Sequence, residues 1–225
     1  MVKPFIKWAG GKTQILNEIE ENLPLNLEEM STYVEPFIGG GAVLFKLLEK
    51  YDFDKIYISD INQELTLCYE CIKSSVDNVI LELESLIDSY PINQDDRKDY
   101  FYKLRDKWNE SVNKIDLMDE EQKCERVAQT LFLNKTCFNG LFRVNKSGKF
   151  NVPTANYKKP SFTTKEVLEE ASKYLSKVEI NTCSYKECLD YIDENTFVYF
   201  DPPYRPLTNS SSFTSYSKSE FNDTH

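Results

Sequence analysis

The sequence predicts an α/β protein built on a parallel sheet and interrupted by a helical insertion that ends in a basic β-hairpin. Three observations carry that prediction. Stretches at residues 33–38 and 55–59 that read as short buried strands flank an amphipathic stretch at 42–50, the pattern of strand, crossover helix and strand. Between Ile61 and about Lys135 the apolar residues recur at spacings of three and four, which is helical, with a break at Tyr90-Pro91. The α/β layering then resumes, with a helix at 164–176, a strand at 178–181, a helix at 185–191 and a strand at 196–200.

Strands joined through helices run parallel, because such a connection has to cross over the sheet. The expected division is therefore an α/β body from residues 1–65 and 160–225, with residues 66–159 as the insertion. Within the insertion, Leu141-Phe142-Arg143-Val144 and Lys149-Phe150-Asn151-Val152 alternate around Asn145-Lys146-Ser147-Gly148, which is turn chemistry. A hairpin at 141–152 follows.

A chain of 225 residues, 40% hydrophobic and 28% charged, suits one large domain or a domain carrying an inserted subdomain. No apolar run exceeds four residues, and Met1-Val2-Lys3-Pro4 lacks the pattern of an export signal. A soluble, cytoplasmic protein without membrane contact is expected. The six cysteines are too scattered to staple a fold of this length and read as reduced thiols. Cys68 and Cys71 have redox spacing, but their helical setting points to packing.

The single histidine is His225, which excludes histidine-based nucleophilic or acid/base chemistry and zinc hydrolysis. No metal site is expected. The net charge of -10 hides an asymmetry. From Arg126 to Lys165 there are eight basic residues and no acid, leaving 19 basic against 37 acidic residues in the remainder. That segment reads as a polyanion-binding face on an acidic body.

Two glycine groups and one tetrapeptide point to chemistry. Pro36-Phe37-Ile38-Gly39-Gly40-Gly41 sits where the first strand turns into its helix, and Asp60 follows the second strand 19 residues past Gly41. That register suits an acid bonded to ribose hydroxyls, and so a ribose-bearing cofactor. Leu44 at the third glycine position weakens a dinucleotide reading. Near the N-terminus, Trp8-Ala9-Gly10-Gly11-Lys12-Thr13 resembles a phosphate loop but has Ile6 where its first glycine belongs.

Asp201-Pro202-Pro203-Tyr204 follows the last apolar strand and sets a carboxylate, a carbonyl and an aromatic ring together. An exocyclic amino group is poorly nucleophilic because its lone pair is delocalised into the ring. Two acceptors, the Asp201 carboxylate and the Pro202 carbonyl, can localise that lone pair while Tyr204 stacks on the base.

These motifs together resemble the Dam-like, D12 class family of DNA adenine-N6 methyltransferases. The resemblance rests on KWAGGK at 7–12, EPFIGGGAV at 35–43, DIN at 60–62, FNGLFRVNKSGKFNVP at 138–153, NYKKP at 156–160, and DPPYRPL with FTSY at 201–207 and 213–216. It implies a Rossmann-like S-adenosylmethionine-dependent methyltransferase sheet with a helical DNA-recognition insertion. Trp8, Ala9, Gly10, Lys12, Glu35, Phe37, Gly39, Asp60 and Asp201 would hold the cofactor, and Asp201, Pro202 and Tyr204 would serve catalysis. Asn139, Leu141, Arg143, Asn145, Lys146, Lys149, Lys158 and Lys159 would contact double-stranded DNA, while Phe213, Thr214 and Tyr216 would help hold the extruded base or its strand.

The implied activity is base flipping and direct methyl transfer to adenine N6, at a GATC-like site, by a monomer in a restriction-modification or epigenetic marking system with a companion endonuclease. Family members continue with further strands past the point where this chain stops, so the last strands of the sheet are expected to be missing. The alternatives are a shortened, catalytically silent remnant that binds DNA or cofactor, and N-methylation of RNA or protein glutamine.

Overall fold

The computed structural model describes residues 2–203. They divide into two compact units, one of residues 2–5, Ala9–Ser74 and Glu166–Pro202, the other of Ile6–Trp8 and Ser75–Lys165. Among the described residues no helix is long and apolar enough to cross a membrane.

The first unit is a four-stranded parallel sheet. Its strands are β1 (Thr32–Glu35), β2 (Lys55–Asp60), β3 (Val178–Thr182) and β4 (Thr196–Val198), in the order β3-β2-β1-β4. Central strand β1 is buried along its whole length, as a parallel strand covered on both faces must be. It ends at Glu35, earlier than the apolar run suggests, because Pro36 has no N–H to extend the ladder and the glycine turn follows. Strand β4 is three residues long and half-buried throughout, although the Tyr199 amide still donates to the Val34 carbonyl at 2.9 Å.

Helices α1 (Leu16–Glu21), α2 (Ala42–Leu48) and α3 (Gln63–Ser74) belong to this unit. The helical pattern of 61–135 does not all go to the insertion. Helix α3 buries Leu65, Leu67, Cys68, Cys71 and Ile72, its Lys73 ammonium donates to the Val178 carbonyl at 2.7 Å, and Thr66 meets Thr182 at 2.5 Å. The division between units therefore falls after Ser74. Cys68 and Cys71 are core residues.

The second unit contains α4 (Val76–Asp88), α5 (Gln94–Glu110) and α6 (Glu120–Thr136). Asn93 caps α5 by accepting the Asp95 amide, and Asp119 with Gln122 forms a reciprocal capping box on α6. Helix α6 is buried almost all round, which explains its weak sequence amphipathicity. Helix α7 (Lys165–Leu175) returns the chain to the sheet, and the predicted helix at 185–191 is a 3-10 helix, Tyr185–Tyr191, capped by Ser184 and Glu187.

The hairpin expected at 141–152 forms no regular strands. It is closed by an isolated antiparallel bridge between Val144 and Phe150, with a second bridge between Cys137 and Thr154 outside it. Backbone bonds span the turn, from the Gly148 amide to the Asn145 carbonyl at 2.8 Å, from the Asn145 amide to the Lys149 carbonyl at 2.9 Å and from the Asn151 amide to the Arg143 carbonyl at 3.1 Å, and the Asn145 side-chain oxygen adds the amides of Ser147 and Lys149 at 2.9 and 3.1 Å.

One glycine fixes the route from β1 into α2. Gly41 has φ +72, and a Cβ there would lie 2.5 Å from the Tyr69 hydroxyl oxygen. Gly41→Ala is expected to destabilise the protein by about 1–3 kcal/mol, read as a lower urea midpoint. Adding Tyr69→Phe should recover part of that loss, and a midpoint unchanged by Gly41→Ala would show that the turn tolerates a side chain.

Candidate active site

Strand order reverses at β1. The chain leaves β1 toward β2 and β3 on one side, and β4 returns on the other. The C-terminal ends of β1 and β4 therefore border a crevice between diverging connections, where ligands of open α/β sheets bind. The turn at 36–41 follows β1, and Asp201 lies three residues past the end of β4.

Lys12 and Asp201 form an ion pair across 189 positions of sequence. The same ammonium donates to the Gly10 carbonyl at 2.7 Å, in a turn where Gly10 has φ +79. The two side chains are 11% and 21% exposed, so the pair is shielded far more than a surface salt bridge. The sequence pointed to both residues; that they hold each other is new.

Glu35, expected beside the cofactor, is turned into the core. It is 3% exposed, its Oε2 accepts the Tyr33 hydroxyl at 2.7 Å, and it also accepts the Leu44 amide in the first turn of α2. Burial pushes its carboxyl up to about 8, with the nearby Asp201 charge adding to the rise and Lys12 opposing it. Glu35 is thus mainly neutral at pH 7 and supports the turn.

Asp60 ends β2 and accepts the amide of Asn62 at 2.9 Å and that of Gly39 at 3.4 Å. Burial raises its carboxyl to about 6, against these amide bonds, which leaves it mostly anionic at neutral pH. Asn62 plays a different part, since its side-chain oxygen accepts the Glu64 and Leu65 amides at 3.1 and 3.3 Å and starts α3. Gly39 is also held by its carbonyl, which accepts the Tyr69 hydroxyl at 3.0 Å.

Phe37 stacks on Tyr185 at 5.5 Å and meets Phe200 edge-on at 5.8 Å. The sequence marks Tyr185 only as the start of a helix. The chain returns from β3 beside Asp60, whose carbonyl accepts the Cys183 amide at 3.2 Å, and this delivers Tyr185 to the same end of the sheet. Ile61, next to Asp60, is 56% exposed and offers an apolar face there. Ala9 is half-buried and Pro202 exposed. Tyr204, Phe213, Thr214 and Tyr216 lie outside the described residues.

Trp8 belongs to the second unit, where it stacks on Phe142 at 5.1 Å. Phe142, Phe150 and Trp108 pack together beneath the basic turn. Asn109 braces it by donating to the Phe150 carbonyl at 3.2 Å and accepting its amide at 2.7 Å. Arg143, Asn145, Lys146, Lys149, Lys158, Lys159 and Lys165 are exposed, as is Asn139 with φ 57, while Leu141 is half-buried. Arg143 Nε donates to Asn151 at 2.7 Å.

Arg126, counted from the sequence in the polyanion-binding face, does not belong to it. It is 2% exposed, sits 4.0 Å from the Trp108 ring centre and donates to the Trp108 carbonyl and the Ser111 hydroxyl. Lys7 and Lys135 were missed as a pair. Lys7 packs against Gly140, and Asn134 brackets its backbone with bonds of 3.0 and 2.9 Å. Lys135 has its ammonium weakened by burial and by the charge of Lys7. Only the fold brings these two lysines together, so no local signal marked them.

The sequence profile of the D12 class N6 adenine-specific DNA methyltransferases matches residues 8–225. The chain is 53% identical over 225 residues to the Type II methyltransferase M.MjaIII of Methanocaldococcus jannaschii, covering 99% of this chain and 76% of that protein. It is 36% identical to the Type II methyltransferase M1.LlaDCHI of Lactococcus lactis subsp. cremoris, covering 98% and 72%. It is 32% identical to the DNA adenine methylase of Escherichia coli K12, covering 97% and 71%.

Glu35 yields a pH-dependent prediction. Its folded value of about 8 lies above the ordinary 4.5, so the native state holds the extra proton and stability falls as pH rises through that window. A single carboxyl of this kind can cost at most about 1.4 kcal/mol of stability for each pH step of one. Glu35→Gln is expected to flatten the decline in urea-denaturation midpoints and to gain on the parent as pH rises toward 8. Parallel pH profiles would show that this carboxyl does not titrate there.

Proposed function

The chain belongs to the D12 class N6 adenine-specific DNA methyltransferase family, and from the site geometry we propose how it methylates adenine and which residues do so. The observation that carries the reading is the shielded Lys12–Asp201 pair at the crevice where strand order reverses, with Asp60 anchored at the neighbouring strand end. S-adenosylmethionine suits this crevice and supplies an electrophilic methyl group when bound. Asp60, its carboxylate oriented by amides, would accept the ribose hydroxyls beside the exposed face of Ile61. Lys12, Gly39 and Phe37 would line the remainder.

The chemical difficulty lies in making a conjugated amino nitrogen attack. Asp201, steadied by Lys12, and the Pro202 carbonyl would accept its two N–H bonds and favour a pyramidal nitrogen. Tyr204, three positions on, would stack against the flipped adenine. In the second unit, the exposed residues Asn139, Arg143, Lys146, Lys149, Lys158 and Lys159, with Leu141, would meet the duplex, and Lys7 extends that set. We extend the reading to a companion endonuclease of the same specificity, since two relatives are named Type II methyltransferases, and keep the GATC-like target as what the family resemblance implies.

Incubation with unmethylated DNA and methyl-labelled cofactor is expected to yield N6-methyladenine, whereas label confined to cytosine N4 would reject the assignment. Sequencing DNA from cells expressing the protein would identify the target. Asp201→Ala should lower the transfer rate by at least about 100-fold while the circular-dichroism spectrum stays unchanged; near-normal turnover would remove Asp201 from the mechanism. Separately, Arg143→Ala with Lys149→Ala should weaken DNA binding and lower the salt slope by about 2, and an unchanged slope would move the contacts elsewhere.

A further inference from the structure

Arg97, in α5, joins two stretches of the second unit that are distant in sequence. Its Nε donates to the Pro91 carbonyl at 2.6 Å, and one terminal nitrogen donates to the carbonyls of Tyr157 and Lys158 at 3.3 and 3.0 Å. The guanidinium carbon lies 5.0 Å from the centre of the Tyr90 ring. A planar fork is thus placed between an aromatic ring and three carbonyls, a geometry that a lysine ammonium cannot reproduce.

The stretch it holds has little else to shape it. Residues 156–162 form no helix or strand and, among the described residues, make no backbone-to-backbone hydrogen bond. At the far end, Phe162 stacks on Phe132 at 5.2 Å and meets Tyr90 edge-on at 6.0 Å. Tyr157 and Lys158, which Arg97 holds, and Lys159, between them and Phe162, are exposed. The Arg97 charge is directed at the carbonyls, while the two lysine ammonium groups face solvent.

We propose that Arg97 is a positioning residue for DNA binding: by fixing the Tyr157 and Lys158 carbonyls, it sets the course of the chain so that Lys158 and Lys159 meet neighbouring phosphates together. The inference rests on the reading that these two lysines contact the DNA backbone. A stretch ordered before the encounter does not lose its backbone freedom on binding, so pre-ordering is expressed as affinity. The effect acts through the lysines and not through a phosphate contact of Arg97 itself.

The test uses the full chain and a fluorescein-labelled, unmethylated DNA duplex, with affinities measured between about 50 and 200 mM salt. Lys158→Ala with Lys159→Ala is expected to lower the salt slope by about 2. Arg97→Ala and Arg97→Lys are each expected to weaken binding about tenfold and to lower the slope by about 1 to 2, with S-adenosylmethionine affinity and turnover at saturating DNA unchanged. In the background lacking both lysines, Arg97→Ala should add less than about twofold.

Arg97→Lys keeps the charge, so it carries the test should Arg97→Ala fail to fold. Binding by Arg97→Lys equal to the parent, or a full additional loss from Arg97→Ala in the lysine-free background, would overturn the inference while leaving the lysines as DNA contacts. A parental slope for the double lysine variant would instead overturn the premise, and the role of Arg97 with it.

Discussion

A strand paired on both sides by parallel neighbours can receive and send the chain only through crossovers, and β1 is such a strand. Placing β2 and β3 on one side and β4 on the other makes the connections part company at the C-terminal end of β1. Backbone that would otherwise be covered is then presented at three neighbouring positions: the turn at 36–41, the Asp60 corner and the segment entering Asp201. Phe37, Gly39, Asp60 and Asp201 occur at these positions, and the Gly10–Lys12 turn meets Asp201 there, so the strand order comes before the chemistry. A β4 next to β3 would leave Asp201 with no reason to meet Lys12.

The carboxyl groups of this region are divided by environment. Glu35 is kept largely neutral by burial and by its place beside other charge, and its hydrogen bonds face the core and α2. Asp60, less strongly raised and held by amides, is an anion at neutral pH. Asp201 stands beside a cation that offsets it. Three ionised carboxylates close together would repel one another and resist folding; one neutral, one held by amides and one paired can share the end of a sheet.

Much of this was legible in the sequence, and the failures have physical causes. The strands around Val34 and Ile58 could be read because short β-branched and aromatic stretches ahead of turn residues mark buried strands. Helix α3 was recognised as a helix but assigned to the wrong unit, since periodicity gives a buried face and not the partner of that face. Arg126 was counted with the exposed cations because charge in a sequence has no depth; its neighbours on Trp108 and Ser111 come from 15 to 18 positions away. Asp60 and Asn62 looked like one motif, yet the Asp60 carboxylate accepts the Gly39 and Asn62 amides while the Asn62 side chain caps a helix. Arg97 had no signature because the carbonyls it binds lie about 60 positions along the chain.

The charge asymmetry has a consequence beyond simple attraction. Outside residues 126–165 the chain holds 19 basic and 37 acidic residues, a balance that repels a polyanion. Attraction confined to a few exposed lysines and Arg143, within a repelling body, penalises most orientations of encounter with DNA and favours those led by the basic stretch. Such an arrangement limits nonspecific association, because a duplex gains only when it meets several cations together. It also raises the value of holding those cations in fixed relation to one another. The backbone and side-chain bonds of Asn145 across its turn, the Asn109 brace on Phe150 and the Arg97 fork on Tyr157 and Lys158 all do this for backbone that has no regular sheet to support it. Where net charge forbids recruiting many lysines, the placement of the few becomes the quantity that the fold must control.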